Sequence, residues 1–156
     1  MIRDLPADFI SLCVGINIVG GKTLSERTFS SALIGFIQTI RDVQKDVPLA
    51  IISPIFHRER EQQENEVGLS LEKVRVEILQ VVNTLKKYGD KNIYYIDGLE
   101  MFGEEYEKWM PDGLHPDGEK WMPDGLHPDG DGDKILAARF RQMIESTIPQ
   151  GNIRKY

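Results

Sequence analysis

An α/β fold built on a parallel sheet is what this sequence predicts, and three observations carry the prediction. Short apolar runs recur at residues 8–15 (DFISLCVG), 48–54 (PLAIISP) and 92–97 (NIYYID). Between and after them lie longer segments whose apolar residues return every three or four positions, the period of a helix with one buried face. Glycine and proline punctuate the joins. Strands alternating with helices in this way form βαβ units, and such units generate a parallel sheet.

The elements can be justified in order. The first run ends in Gly15 and suits a buried strand. The segment TLSERTFSSALIGFIQTIRDVQKD then places Phe29, Leu33, Phe36, Ile37 and Ile40 on one helical face, with Thr23 and Glu26 spaced as a capping box. Prolines at 48 and 54 bound the second strand, since proline cannot donate to a ladder. IFHREREQQENE reads as a polar, solvated loop. Ser70 is the expected N-cap of a helix that turns Val74, Ile78, Val82 and Leu85 inward and stops at Gly89. After the third strand comes an irregular stretch rich in Gly, Pro and Asp. A last helix, DKILAARFRQMIEST, carries Leu136, Phe140, Met143 and Ile144 on one face. The 156 residues suffice for one domain spanning 1–156. A three-stranded sheet is small, however. The first strand is apolar at Phe9, Ile10, Leu12, Cys13 and Val14, as a central strand would be. Its pattern implies neighbours that this chain does not provide.

Bulk composition narrows the functional classes. The chain is 40% hydrophobic with a net charge of −6 and no basic run, which argues against nucleic acid or an anionic membrane as partner. No apolar run approaches the roughly 18 residues of a membrane span. A single cysteine, Cys13, excludes an intrachain disulfide framework. No export signal is visible at the N-terminus, so a cytoplasmic location is the default.

Residues 107–130 repeat one twelve-residue unit, EKWMPDGLHPDG, without a substitution. Each copy contains Asp-Gly-Leu-His-Pro, once at Asp112 and His115 and again at Asp124 and His127. An aspartate three residues before a histidine can reach the imidazole, hold one ring nitrogen protonated and leave the other free as a base. The following proline stiffens the chain. A bare D-x-x-H is also found in ordinary turn-rich loops, with the histidine in solvent.

PADFISLCVGIN, then PLAIISPI, then DGLHPD ahead of a terminal helix resembles the SGNH hydrolases, the GDSL esterase/lipase family. In that family a G-x-N motif follows a central strand and D-x-x-H-P precedes the last helix. Here these are Gly15-Ile16-Asn17 and one of the Asp-Gly-Leu-His-Pro copies. The resemblance covers nearly the whole chain apart from the repeat. It implies a flavodoxin-like three-layer α/β/α fold, N-terminally truncated. It also implies hydrolysis of a small-molecule ester, such as an acylated sugar or lipid, with no cofactor and no metal. Asn17 would direct its amide at the oxyanion, Gly15 would allow the tight turn, and a histidine oriented by its aspartate would be the base. Ile18 departs from the aspartate often found after the asparagine. Family members commonly have glycine five residues after the histidine; Gly132 meets this for His127, whereas Lys120 stands there for His115. Asp124 and His127 are therefore the favoured pair, with Asp112 and His115 the alternative copy.

The family's nucleophile, a serine in Gly-Asp-Ser or Gly-Ser-Ser, is not matched. Ser11 lies within the first strand, Ser25, Ser30 and Ser31 in the first helical segment, Ser53 at the end of strand two, Ser70 at a cap and Ser146 in the last helix. The expectation is an ester hydrolase domain without its nucleophile and inactive alone, or a non-catalytic remnant of the same fold that binds a partner. The exposed first strand would be open to self-association. Asp129 to Lys134 fail the calcium-loop spacing, because Lys134 and Phe140 replace the required glycine and glutamate. The histidines lack zinc-ligand spacing, and Cys13 reads as a small core residue.

Overall fold

The computed structural model describes residues 2–104, 130–149 and 151. After a 3-10 turn at Ile2–Asp4, the order is β1 (Ile10–Cys13), α1 (Ile16–Gly21), α2 (Glu26–Arg41), β2 (Leu49–Ile52), α3 (Arg58–Glu61), α4 (Leu71–Lys87), β3 (Ile93–Ile96), α5 (Gly98–Met101) and α6 (Gly130–Thr147). The strands form one parallel sheet in the order β1-β2-β3. Ile10, Leu49 and Ile93 share one register, and Cys13, Ile52 and Ile96 share another. All three strands therefore finish at a common rim.

Helices cover both faces. One face packs Phe29, Leu33, Ile37 and Ile40 of α2 and Val74, Ile78, Val82 and Leu85 of α4 against Ile10, Leu49, Ile51 and Ile93. On the other, Met143 of α6 and Ile148 meet Ala50, Ile52, Tyr94 and Ile96, with Phe140 and Ile144 alongside. Each fully buried aliphatic side chain contributes on the order of 2 kcal/mol, so these two faces hold the layers together. β2, with all four residues buried, is the central strand among those described. β1 lies at the edge, and its Ser11 and Cys13 are exposed. The central character read from its sequence is thus not matched by its position in this sheet.

Four local expectations change. The strands are four residues each, shorter than the apolar runs. The N-terminus of α2 begins two residues later than Thr23 suggested. There Ser25 is the cap: its N–H donates to Thr28 Oγ1 at 3.0 Å, and the two hydroxyl oxygens stand 3.1 Å apart. Glu26 instead accepts from Lys73 of α4 at 2.9 Å. Phe36, assigned to the inner face, is 46% exposed, because α4 fills only the arc defined by Phe29, Leu33, Ile37 and Ile40. The supposed solvated loop is partly internal: Phe56 and His57 are buried, and Arg58–Glu61 form a helical turn. The close of α4 follows expectation. Gly89 takes φ 105°, its N–H donates to Lys86 O at 3.1 Å, and Asp90 N–H donates to Leu85 O at 3.0 Å. That pair of bonds is the Schellman arrangement.

Candidate active site

In open parallel sheets, reactive groups collect beyond the carboxyl ends of the strands. Here that rim is built by three turns. Pairing persists one residue past each strand, through Val14 N–H to Ile52 O (3.1 Å) and Ser53 N–H to Ile96 O (3.0 Å). The chain then breaks upward at Gly15, Pro54 and Gly98.

Gly15 is the pivot of the first turn. Its φ of 119° lies where residues with a side chain are rarely found. A Cβ at this position would stand 2.6 Å from Pro54 Cγ and 2.6 Å from Val74 Cγ1. No methyl group fits. Gly15 caps α1, and its carbonyl accepts from Val19 N–H at 2.9 Å. Asn17 therefore falls in the first turn of α1, exposed beside the rim, and its side chain makes no hydrogen bond to a described residue. Most of the stretch GINIVGG that follows β1 is the short helix α1. Asn65 secures the far end of that helix. Its Nδ2 donates to Val19 O at 2.8 Å, while its Oδ1 accepts from Val67 N–H (3.1 Å) and Leu69 N–H (3.0 Å).

Beneath the rim a buried polar group joins the ends of β2 and β3. Ser53 Oγ accepts from Gly98 N–H at 3.0 Å and from Tyr95 OH at 3.1 Å. Asp97 caps α5 by accepting from Leu99 N–H at 2.9 Å. A Cβ on Gly98 would overlap the carbonyl oxygens of Ser53 and Pro54, so β3 can approach β2 this closely only with glycine there. Arg75, buried on α4, donates from Nη1 to Pro54 O at 2.9 Å and pairs through Nη2 with Glu61 of α3. Burial pushes the Arg75 guanidinium below its usual range, opposed by the negative charge of Asp97 and by Tyr95. Burial likewise raises the Tyr95 phenol, against the hydrogen bond to Ser53.

Of the sequence-predicted site residues, Gly15 and Asn17 stand on this rim. Asp112, His115, Asp124 and His127 lie outside the described residues, as does most of the repeat. Ser53 does not serve local backbone as its sequence position suggests: it is fully buried, and its partners, Gly98 N–H and Tyr95 OH, come from the end of β3 more than forty residues away. Ser70 caps α4 through Lys73 N–H, Ser30 bonds Glu77, and Ser31 and Ser146 return hydrogen bonds to Thr28 O and Met143 O. Ser11 sits mid-strand opposite Ala50, away from the rim. Arg75 was overlooked. The available signal was its place at the i+4 position of an inward stripe, Leu71, Arg75, Ile78 and Val82, where a charge requires a partner.

Among the described residues no cluster of three His, Cys, Asp or Glu side chains could hold a metal ion, and no helix is long and apolar enough to cross a membrane.

No family model and no curated protein matches the sequence. Comparison of structures does find similarity. The salicylyl-acyltransferase SsfX3 from a tetracycline biosynthetic pathway matches with a TM-score of 0.78 and 27% identity, over 98% of this chain and 41% of that one. A protein assigned as a GDSL-like lipase from Bacteroides ovatus matches with a TM-score of 0.61 and 20% identity, over 94% of this chain and 37% of that one. This chain thus spans about two fifths of the length of each.

Proposed function

This chain has an SGNH/GDSL-like hydrolase fold, and on that premise we propose that it is the oxyanion and general-base portion of a serine acyl-transfer site. The observation that carries the reading is the Gly15 turn, which starts α1 just past the carboxyl end of β1, with Asn17 exposed in the first turn of that helix. His127, oriented by Asp124, is the base in this reading, and Asp112 with His115 is the alternative pair.

The chemistry then runs through a serine hydroxyl that the chain does not itself supply. His127 takes the hydroxyl proton as the oxygen attacks the ester carbonyl. Negative charge moves to the carbonyl oxygen, where the Asn17 amide donates a hydrogen bond; one such donor is worth about 10²–10³ in rate. The intermediate collapses, the alcohol leaves with the proton from His127, and water repeats the sequence to release the acid. An alcohol taking the place of water would make the reaction a transfer, a second reading favoured by the likeness to an acyltransferase. The edge of β1, unpaired among the described residues, is where the remainder of such a site, or a second copy, would pair. Without the nucleophile, isolated protein hydrolyses little, because these groups act as a unit.

The test is hydrolysis of a short chromogenic acyl ester. The protein alone gives negligible turnover. Mixed with a fragment whose β-strand ends in Gly-Asp-Ser, it gains turnover that Asn17→Ala and His127→Ala remove. Robust turnover by the protein alone, lost on His127→Ala, contradicts the absence of a nucleophile. Loss on His115→Ala instead moves the base to the first copy. Turnover of the mixture that survives all three substitutions overturns the reading.

A further inference from the structure

We infer that Arg75 is a positioning residue for the Gly15–Asn17 turn, acting through Pro54. The inference rests on the proposed role of Asn17 and adds the device that holds it in place. Three observations meet here. The Pro54 ring and the Val74 side chain occupy the space where a Gly15 side chain would be, so these two groups set the position of the turn. The Pro54 carbonyl is held from behind by Arg75 Nη1 at 2.9 Å. The other arm of the same guanidinium is tied to Glu61 of α3, so Pro54 is anchored to two helices by one rigid, planar group. Val74, the second wall, is the residue next to Arg75 on α4.

The energetic logic favours a specific role over general cohesion. A guanidinium buried to 7% side-chain exposure among carbonyl and carboxylate oxygens is a costly way to stabilise a core. Its return is geometric. Proline offers no N–H with which to fix itself in the sheet, and its carbonyl is the polar handle that remains. Losing Arg75 leaves that carbonyl without its donor and lets the ring move off Gly15. The first turn of α1, with Asn17 in it, then loses its wall.

The experiment compares Arg75→Met with Arg41→Met in the whole chain by nuclear magnetic resonance. Arg41 is a second, partly buried arginine, paired with Asp90 at the opposite end of the sheet, so its loss also costs stability but does not touch the turn. Two signals are read, the Asn17 side-chain amide shifts and the hydrogen exchange of the Val19 amide relative to that of Ile78 in the same variant. Arg75→Met is expected to move the Asn17 resonances and to speed relative exchange at Val19 about tenfold, while Arg41→Met leaves both unchanged. Signals unmoved by Arg75→Met, or moved equally by both variants, overturn the inference. Should Arg75→Met fail to fold, Arg75→Lys replaces it. Lysine keeps the charge but cannot bridge both partners, so the same signals move by less, and unmoved signals again overturn the inference. Neither signal needs substrate or nucleophile, so a mixture with the Gly-Asp-Ser fragment that gains no turnover would end the acyl-transfer reading and leave this one standing.

Discussion

Replacing Gly15 by alanine tests the geometry of the rim most directly. Two costs combine. Alanine at φ 119° carries backbone strain of about 1–3 kcal/mol. Its methyl group would sit 2.6 Å from both Pro54 Cγ and Val74 Cγ1, and forcing a carbon into a packed site costs about 1–3 kcal/mol more. A loss of about 3–5 kcal/mol is expected, a large part of the roughly 5–15 kcal/mol by which domains are stable. Urea unfolding followed by circular dichroism reads it as a fall in midpoint of about 2 M at unchanged slope, taking a slope near 2 kcal/mol per M. Gly35→Ala is the internal control. Gly35 lies exposed within α2 with nothing within 4 Å of its missing Cβ. That variant should gain about 0.5–1 kcal/mol, because glycine costs that much in a helix interior. The reasoning fails if Gly15→Ala costs less than about 1 kcal/mol, or if the two substitutions act with the same sign.

Other expectations follow from the buried polar groups. Arg41 places its guanidinium N–H groups on Asp90 Oδ1 and Oδ2 and on the carbonyls of Gln44, Val47 and Asn92, so Arg41→Met should cost about 3–5 kcal/mol by thermal or urea unfolding. Ser53→Ala removes the acceptor for Gly98 N–H and Tyr95 OH and should cost about 1–3 kcal/mol, measured the same way. The Tyr95 phenol is raised by burial, so its contribution is complete below the ordinary tyrosine pKa near 10 and is lost as pH climbs through the higher folded value. Urea midpoints measured from pH 8 to 11 should therefore fall at the alkaline end, and Tyr95→Phe should flatten that fall.

Much of the scaffold was legible because its signals are local. Val74, Ile78, Val82 and Leu85 repeat at helical spacing and are all buried, and Ser70 and Gly89 mark the ends of α4 as their chemistry requires. Gly15 and Asn17 were legible as a motif next to a strand. What escaped was decided by distant partners. Ser25 rather than Thr23 caps α2 because Glu26 is drawn to Lys73, 47 residues away. His57 and Phe56 look polar-flanked in sequence, yet Phe56 N–H bonds Phe102 O across the rim and draws the segment inward. Arg75 looked like one charge among many until Pro54 and Glu61 came to meet it. Phe36 fits the helical period yet faces outward, since periodicity gives the direction of a stripe and not the width of what covers it.

The flank of β1 that no described strand pairs has a practical consequence. Cys13 is the chain's single thiol, and it sits exposed on the outermost strand while its register partner Ile52 is buried. A dye attached there would report whatever docks along that flank, through a change in its emission. Partial desolvation by neighbouring atoms raises the thiol's pKa even so, and attachment should be slow at neutral pH and hasten in mild base.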